Sequence, residues 1–448
     1  MNNTDPPQGT SSVNPTCLLN RRSLLMLLAV TPLLVCSFSQ AAESNQKTIL
    51  MRSGWQTVNI GDIGHTPGTL RYLETYLPDV KIILWLHKTT PEITAMLQQR
   101  FPKVQIVQGK LNARGKANNP EFQQAFDEAD LFLYNSGMHF NQFWPPPNYI
   151  IEACTVTKKP LVLYGQSFDG FAPEDEAKMS ELLSRAAAIY TRDVESFYYL
   201  RKIGVTAPSL AFGPDGCFGI DVRDDAKASD WLKAHDLKPK EFITVTLRSN
   251  TPKIGAKKST SMNPANPSKE DLAQNELWTK KLREVITDWV RKTGKKVLLA
   301  PEVDKEIVHA QQMILDKLPA DVKPYVVNRD PFWNVDEAAS TYAQAIAVVS
   351  MEPHSCIISL AMGTPTMHLA SPRHGLKRWM FRDIGLSEWL FDIDADPADQ
   401  FTRALLKIDA KPELAQSKVN RAMHTVNTRS KEMMGEIKEI LDQQKSAD

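Results

Sequence analysis

Five consecutive apolar residues, Ile82-Ile83-Leu84-Trp85-Leu86, leave neither face of an extended segment polar. Such a run is stable as a strand only when both faces are covered, the situation of a parallel strand with helices above and below it. The same pattern recurs along the chain. Residues 47–51, 81–86, 104–107, 131–135, 160–164 and 188–191 read as strands. Residues 66–76, 91–101, 121–128, 148–155, 174–184 and 194–202 read as amphipathic helices between them. Alternation of this kind predicts a doubly wound parallel sheet.

Around 219–229 the periodicity relaxes into polar residues, which marks a linker, and then restarts. Strands are expected at 242–247, 296–300, 325–327, 346–350 and 366–369, and helices at 272–291, 305–318, 335–344 and 355–362. Residues 248–268 have no periodicity and form a long loop, while 410–444 read as one or two helices. At 448 residues the chain is too long for a single core, so two sheets mean two domains. The expected fold is α/β, with two Rossmann-like doubly wound domains facing across a cleft, a GT-B-like arrangement. The boundaries fall at 47–220 and 221–409, with a C-terminal helical segment at 410–448.

Composition removes several functional classes. A formal net charge of +1 gives no bulk attraction to nucleic acid or to an anionic surface. No Walker A loop, strict GxGxxG, HExxH or CxxC pair occurs. Aspartates are plentiful, but no metal-ligand spacing stands out, so no metal is expected. The N-terminus carries Arg21-Arg22, an apolar run over 24–36, and then Ser39-Gln40-Ala41-Ala42. That is the order of a secretory signal, in Sec or twin-arginine form, and predicts removal of 1–41 and a periplasmic or extracytoplasmic location. The apolar run is too short for a stable membrane span. Cys154, Cys217 and Cys356 remain beyond it, too few for a disulfide framework.

The first strand leads into Asn59-Ile60-Gly61-Asp62-Ile63-Gly64-His65-Thr66-Pro67-Gly68. Thr66 is a good helix N-cap and Pro67 suits the first helical position. Glycines here allow close approach of a ligand, and helix amides favour an anion. Asp62 and His65 are then expected at the cleft mouth.

Asn59-x-Gly61-Asp62 resembles the NxGD segment that opens the polysaccharide pyruvyl transferase domain. Further pieces follow in order: Asn135-Ser136-Gly137, Tyr164-Gly165-Gln166-Ser167, Tyr190-Thr191-Arg192-Asp193 and Pro214-Asp215-x-x-Phe218. Val245-Thr246-Leu247-Arg248, Ser350-Met351-Glu352-Pro353-His354-Ser355, Gly363-Thr364-Pro365 and Lys377 complete the set, over about 54–386. The resemblance implies transfer of a pyruvyl group from phosphoenolpyruvate to two saccharide hydroxyls as a ketal, with phosphate leaving. It implies a saccharide or polysaccharide acceptor of the cell envelope and no cofactor beyond phosphoenolpyruvate as co-substrate. His354 and Asp62 become the catalytic candidates. Asn59, Gly61, His65, Ser136, Gly137, Gln166, Arg248, Glu352, Ser355 and Lys377 become the substrate-binding ones. Fixed cations suit the donor's carboxylate and phosphate, and a histidine suits proton transfer near neutrality.

The chain departs from the family at one point. Glu352 stands in place of the arginine before Leu-His, and Pro353 in place of the leucine. A carboxylate for a cation reverses the local field, worth roughly several kcal/mol at short range and an effective dielectric near 20. Glu352 also fits a GT-B-type glycosyltransferase, where a glutamate at this strand end accepts from the ribose of a nucleotide-sugar. The second glutamate expected there is Leu360. A third reading is a non-catalytic exported glycan-binding protein, with Trp55, Phe140, Phe143, Trp144, Trp333 and Trp379 as stacking platforms.

Overall fold

A computed structural model of the chain describes residues 46–142, 145–249 and 268–443. The expected signal segment, Phe143, Trp144 and residues 250–267 of the long loop lie outside the described residues. The N-terminal half carries strands β1 (Thr48–Ser53), β2 (Lys81–Leu86), β3 (Gln105–Val107), β4 (Leu131–Tyr134), β5 (Leu161–Gln166), β6 (Ala188–Thr191) and β7 (Ser209–Phe212). Its helices are α1 (Ile60–Tyr76), α2 (Pro91–Arg100), α3 (Pro120–Glu128), α4 (Asn148–Val156), α5 (Glu176–Leu183) and α6 (Val194–Lys202). After α7 (Asp225–Ala234) the second half carries β8 (Phe242–Thr246), β9 (Lys296–Leu299), β10 (Val326–Asn328), β11 (Val348–Ser350), β12 (Thr366–Ala370) and β13 (Leu390–Asp392). The helices α8 (Lys269–Thr293), α9 (Glu306–Met313), α10 (Val335–Gln344), α11 (Pro353–Ala361) and α12 (Met380–Asp383) belong to it. Two last helices follow, α13 (Ala398–Ala410) and α14 (Pro412–Gln443).

Both sheets are parallel throughout, in the orders β3-β2-β1-β4-β5-β6-β7 and β10-β9-β8-β11-β12-β13. The expected α/β fold of two Rossmann-like halves is therefore present. Each order reverses direction once, between β1 and β4 in the first sheet and between β8 and β11 in the second. Such reversals open a crevice beyond the strand ends, where ligands of open α/β sheets bind. Strands β7 and β13 had no counterpart in the sequence pattern. β7 is half-buried along its whole length and β13 has only three residues, so neither carries a sustained apolar run. Part of the polar stretch at 219–229 is helix: Asp224 accepts from Lys227 N at 3.0 Å and caps α7.

The halves are pinned together at several places. Residues 58–60 and 302–304 run side by side, with Ile60 N donating to Glu302 O (2.9 Å), Asp304 N to Val58 O (3.0 Å), and an antiparallel bridge between Asn59 and Val303. Ile60 and Ile63 of α1 share one apolar cluster with Val335 and Tyr342 of α10 and Ile358 of α11. Each such side chain removed from water contributes about 1.5–3 kcal/mol. Asp169 accepts from Leu376 N (2.6 Å), and Asp383 from Val194 N (2.9 Å). Helix α14 spans both halves. Its Ala415, Val419, Ala422 and Val426 belong to the core of the second sheet, while Met433, Met434, Ile437 and Leu441 belong to the cluster containing the first. Glu436 there accepts from Tyr190 Oη and Ser209 Oγ, both at 2.8 Å.

Helix α1 begins seven residues earlier than the Thr66-Pro67 signal suggests, a correction to the expected cap. Asn59 is the N-cap, its side chain accepting from Gly61 N (2.8 Å) and Asp62 N (3.2 Å). Pro67 lies inside the helix, and Thr66 Oγ1 is spent on Ser53 Oγ at 2.8 Å. Further along, the helix backbone presses on the turn Gly216–Gly219: a Cβ added at Gly68 would lie 2.1 Å from Gly216 O. Backbone cannot yield as a flexible side chain can. Gly68→Ala is therefore expected to cost about 1–3 kcal/mol in urea unfolding; an unchanged midpoint would contradict this packing.

Candidate active site

The two sheet reversals meet. From the β1 side come Asn59, Gly61, Asp62 and His65; from β4 and β5 come Asn135, Ser136, Gly137 and Gln166. From β8 comes Arg248, and from β11 and the start of α11 come Glu352, His354 and Ser355. The approach is closest at Gly61, where an added Cβ would lie 2.3–2.4 Å from His354 ring atoms. Only glycine fits there, because any side chain would push the two halves apart.

A carboxylate holds the junction together. Asp215 Oδ2 lies 3.2 Å from His65 Nε2, 2.7 Å from Arg192 Nη1 and 3.8 Å from His354 Nε2, while Oδ1 accepts from Cys217 N at 2.8 Å. Arg192 also donates Nε to Ser167 Oγ (2.8 Å), and its Nη1 stands 3.4 Å from His354 Nε2. On its other edge His354 Nδ1 lies 3.1 Å from Glu302 Oε1. Glu302 Oε2 accepts from Ser355 N (2.5 Å) and Ser355 Oγ (2.9 Å). All these groups are buried.

The two imidazoles, edge to face at 4.8 Å, are pushed in opposite directions. Burial drives His65 below its ordinary value, with Asp215 only partly opposing, so it is neutral. Burial also disfavours charge on His354, but the neighbouring Asp215 and Glu302 carboxylates win and raise it to about 9. Burial alone would raise Asp215, yet His65, His354 and Arg192 hold it well below the usual carboxylate range. Two neighbouring groups of opposed protonation are the signature of an acid/base site.

A second set of charges lies beside the first. Arg248 Nη1 pairs with Glu352 Oε2 at 2.9 Å, so the residue that replaces the family's arginine is tied to the neighbouring arginine. Lys377 is buried, and its ammonium makes no hydrogen bond or salt bridge among the described residues. Burial and then Arg248 lower it to about 8, with Glu352 opposing. His374 is likewise driven well down by burial and by Arg248.

Ser136, Gly137 and Gln166 sit in the same cluster and hydrogen-bond neighbouring backbone. Ser136 Oγ accepts from Gly216 N (2.8 Å), Gly137 N donates to Gly165 O (3.3 Å), and the Gln166 amide donates to Asn135 O. Asn135 donates to Ser53 Oγ (3.0 Å) and His65 O (2.9 Å), fixing α1 to β4. The described aromatic residues among these candidates are not open platforms. Trp55 lies against Tyr134 and His139 at 5.0 and 4.1 Å between centroids, and Phe140 is fully buried. Trp333 donates to Pro301 O at 2.9 Å, and Trp379 lies under the Arg378 and Arg382 guanidinium groups.

Arg192 and Asp215 stand in motifs quoted above without a role, and nothing in the sequence marks Glu302. Its partner His354 is 52 residues away, a distance no local spacing reveals. Sequence spacing likewise gives no hint that His65, Asp215, Cys217 and His354 bring metal-type ligand atoms within 4.8 Å of one another. Arg192 Nη1 already supplies a cation to Asp215 Oδ2. A metal ion sharing that oxygen would face a like charge at close range, a penalty of roughly several kcal/mol at an effective dielectric near 20. No helix among the described residues is long and apolar enough to cross a membrane.

Two facing Rossmann-like sheets joined by a crossing C-terminal helix define the GT-B-like class. A glycosyltransferase from Rickettsia africae matches at a TM-score of 0.54 and 13% identity, over 90% of this chain and 100% of that one. The UDP-GlcNAc 2-epimerase of Neisseria meningitidis matches at 0.51 and 11%, over 88% and 100%. At these identities the likeness is one of fold. A search of curated proteins by sequence finds no match. The family model "Polysaccharide pyruvyl transferase" matches residues 59–372, and the chain belongs to that family. Its members define a class of saccharide-modifying transferases, and the matched span runs from the Asn59 cap to just past β12.

The raised His354 has a thermodynamic consequence. Its folded value, about 9, exceeds the ordinary 6.5, so its contribution to stability is complete below pH 6.5 and is lost as pH climbs through about 9. The stability difference between wild type and His354→Gln, read by urea unfolding, should shrink across that window. A pH-independent difference would mean that His354 is not held protonated.

Proposed function

We propose that the protein transfers a pyruvyl group from phosphoenolpyruvate to two hydroxyls of a saccharide, forming a ketal and releasing phosphate. The observation that carries this reading is His354, set between the Glu302 and Asp215 carboxylates where both sheet reversals meet. In the reaction the enol phosphate's methylene must gain a proton as the first sugar oxygen bonds to C2. The C2–O bond to phosphate must then break as the second oxygen closes the ketal. Of the two hydroxyl protons released, one balances the proton given to the methylene and the other leaves with phosphate. His354 is suited to give the first proton. Neutral His65 and the half-buried Asp62, on the opposite face, are suited to take one from a hydroxyl.

The donor carries a carboxylate and a phosphate. Lys377, lacking an ion-pair partner among the described residues, and Arg248 supply positive charge beside His354. Glu352 competes with the donor for Arg248. Removing that competition in Glu352→Gln is therefore expected to tighten phosphoenolpyruvate binding about tenfold, roughly 1.4 kcal/mol. Weaker binding in that variant would mean that Glu352 belongs to the ligand's site in its own right, as a nucleotide-sugar reading requires.

Thermal unfolding of the full chain separates the alternatives. Phosphoenolpyruvate should raise the melting temperature, and the rise should fade above pH 8 as Lys377 loses its proton. Stabilisation by UDP- or GDP-sugars instead supports a glycosyltransferase, and by oligosaccharides alone a glycan-binding protein. His354→Gln should lower pyruvyl transfer by about 10²–10⁴-fold while the chain stays folded; unchanged turnover would remove His354 from the chemistry.

A further inference from the structure

Two imidazoles share the Asp215 carboxylate, yet only one of them has a second acid against it. His65 Nδ1 has no hydrogen-bond partner among the described residues. His354 Nδ1 faces Glu302 Oε1 at 3.1 Å. Glu302 in turn is fixed on every side. Its Oε2 takes the Ser355 N–H and hydroxyl, and the Tyr342 hydroxyl donates to Ser355 Oγ at 3.1 Å. Its own N–H donates to Glu306 Oε2 (2.8 Å), and its carbonyl receives Ile60 N from the opposite half. A carboxylate that already accepts from two donors, the Ser355 N–H and hydroxyl, is held ionised, so it can only accept from the imidazole. Nδ1 must then carry a proton. That leaves Nε2 facing Asp215 and Arg192 at the junction, where a substrate's reacting atoms would lie.

We infer that Glu302 is a positioning residue that acts through His354, fixing the ring and keeping a proton on Nδ1 so that Nε2 is the atom that exchanges protons with substrate. The inference rests on the proposed role of His354 and adds the group that sets its protonation. The arrangement follows a general pattern in which a buried acid orients a working imidazole and stabilises its charged form. The other groups around this ring are accounted for. Asp215 and Cys217 come from the turn after β7, Arg192 from the end of β6, and His65 from α1, with Asp62 beyond it. Lys377 and Glu306 act on Glu302 rather than on the ring. Arg192 opposes a proton on Nε2, and Asp215 serves both histidines, so Glu302 is what distinguishes His354 from His65.

The test is nitrogen-15 NMR of the histidine rings in the full chain without any donor, across pH 5–10. In the wild type His354 should release its proton near pH 9, with His65 releasing its own earlier, below the ordinary histidine value. In Glu302→Gln the release should move down by about 1–3 pH units, with His65 unchanged. Glu302→Asp keeps the charge but shortens the reach, and should give a smaller downward movement; it serves as the reading should the glutamine variant not fold. With phosphoenolpyruvate and an acceptor, kcat should fall and its pH profile move by the same amount, while KM changes little. A folded variant in which His354 titrates as in the wild type overturns the inference. Because the titration needs no donor, a failure of the pyruvyl reading appears separately, as absent turnover in the wild type.

Discussion

The absence of a side chain at Gly61 lets the first turn of α1 lie directly against the His354 ring. Through that contact the reversal point of one sheet reaches the reversal point of the other. The short pairing of residues 58–60 with 302–304 fixes the register of the approach, and the same segment carries Asn59, which caps the helix. One short corner therefore sets the start of α1, the join between the halves and the position of Glu302. Helix α14 adds a second fastening on the far side by packing one end into each half.

Burial then determines the chemistry. In the low dielectric of the junction an unpaired charge is costly, so each ionised group is matched to a specific partner. Asp215 collects Arg192 and two histidines; Glu302 collects His354 and Ser355; Arg248 and Glu352 satisfy each other. Lys377 is the exception among the described cations of this cluster. Its position next to a neutralised Arg248 gives the cluster one positive charge not already committed to a carboxylate contact. The exchange of the family's arginine for Glu352 thus changes how positive charge is shared here without removing all of it.

Much of the architecture was legible in the chain because parallel strands buried on both faces have to be continuously apolar. The runs Ile82–Leu86 in β2 and Leu161–Tyr164 in β5 are unmistakable for that reason. By contrast β7, half-exposed at the sheet edge, and the three-residue β13 have no such requirement and left no pattern. The sequence misplaces the start of α1 because Thr66-Pro67 is a stronger local signal than Asn59. The tertiary contact at Gly61 decides in favour of Asn59, and no local rule contains that contact. The site divides in the same way. Asn59, Gly61, His65, Arg248, Glu352, His354 and Ser355 lie in motifs, and the fold gathers them at the junction. Ser136 and Gln166 lie there too, each with a side-chain hydrogen bond to neighbouring backbone. Glu302 was out of reach because its importance comes only from meeting a histidine on another strand end.

The central claim is that this junction receives the donor. Crystals of the full chain soaked with phosphoenolpyruvate test it most directly. The account predicts the donor beside His354, its methylene facing Nε2 and its anionic groups against Lys377 and Arg248. Donor density anchored elsewhere, with the His354–Glu302 and Arg248–Glu352 contacts undisturbed, would contradict it.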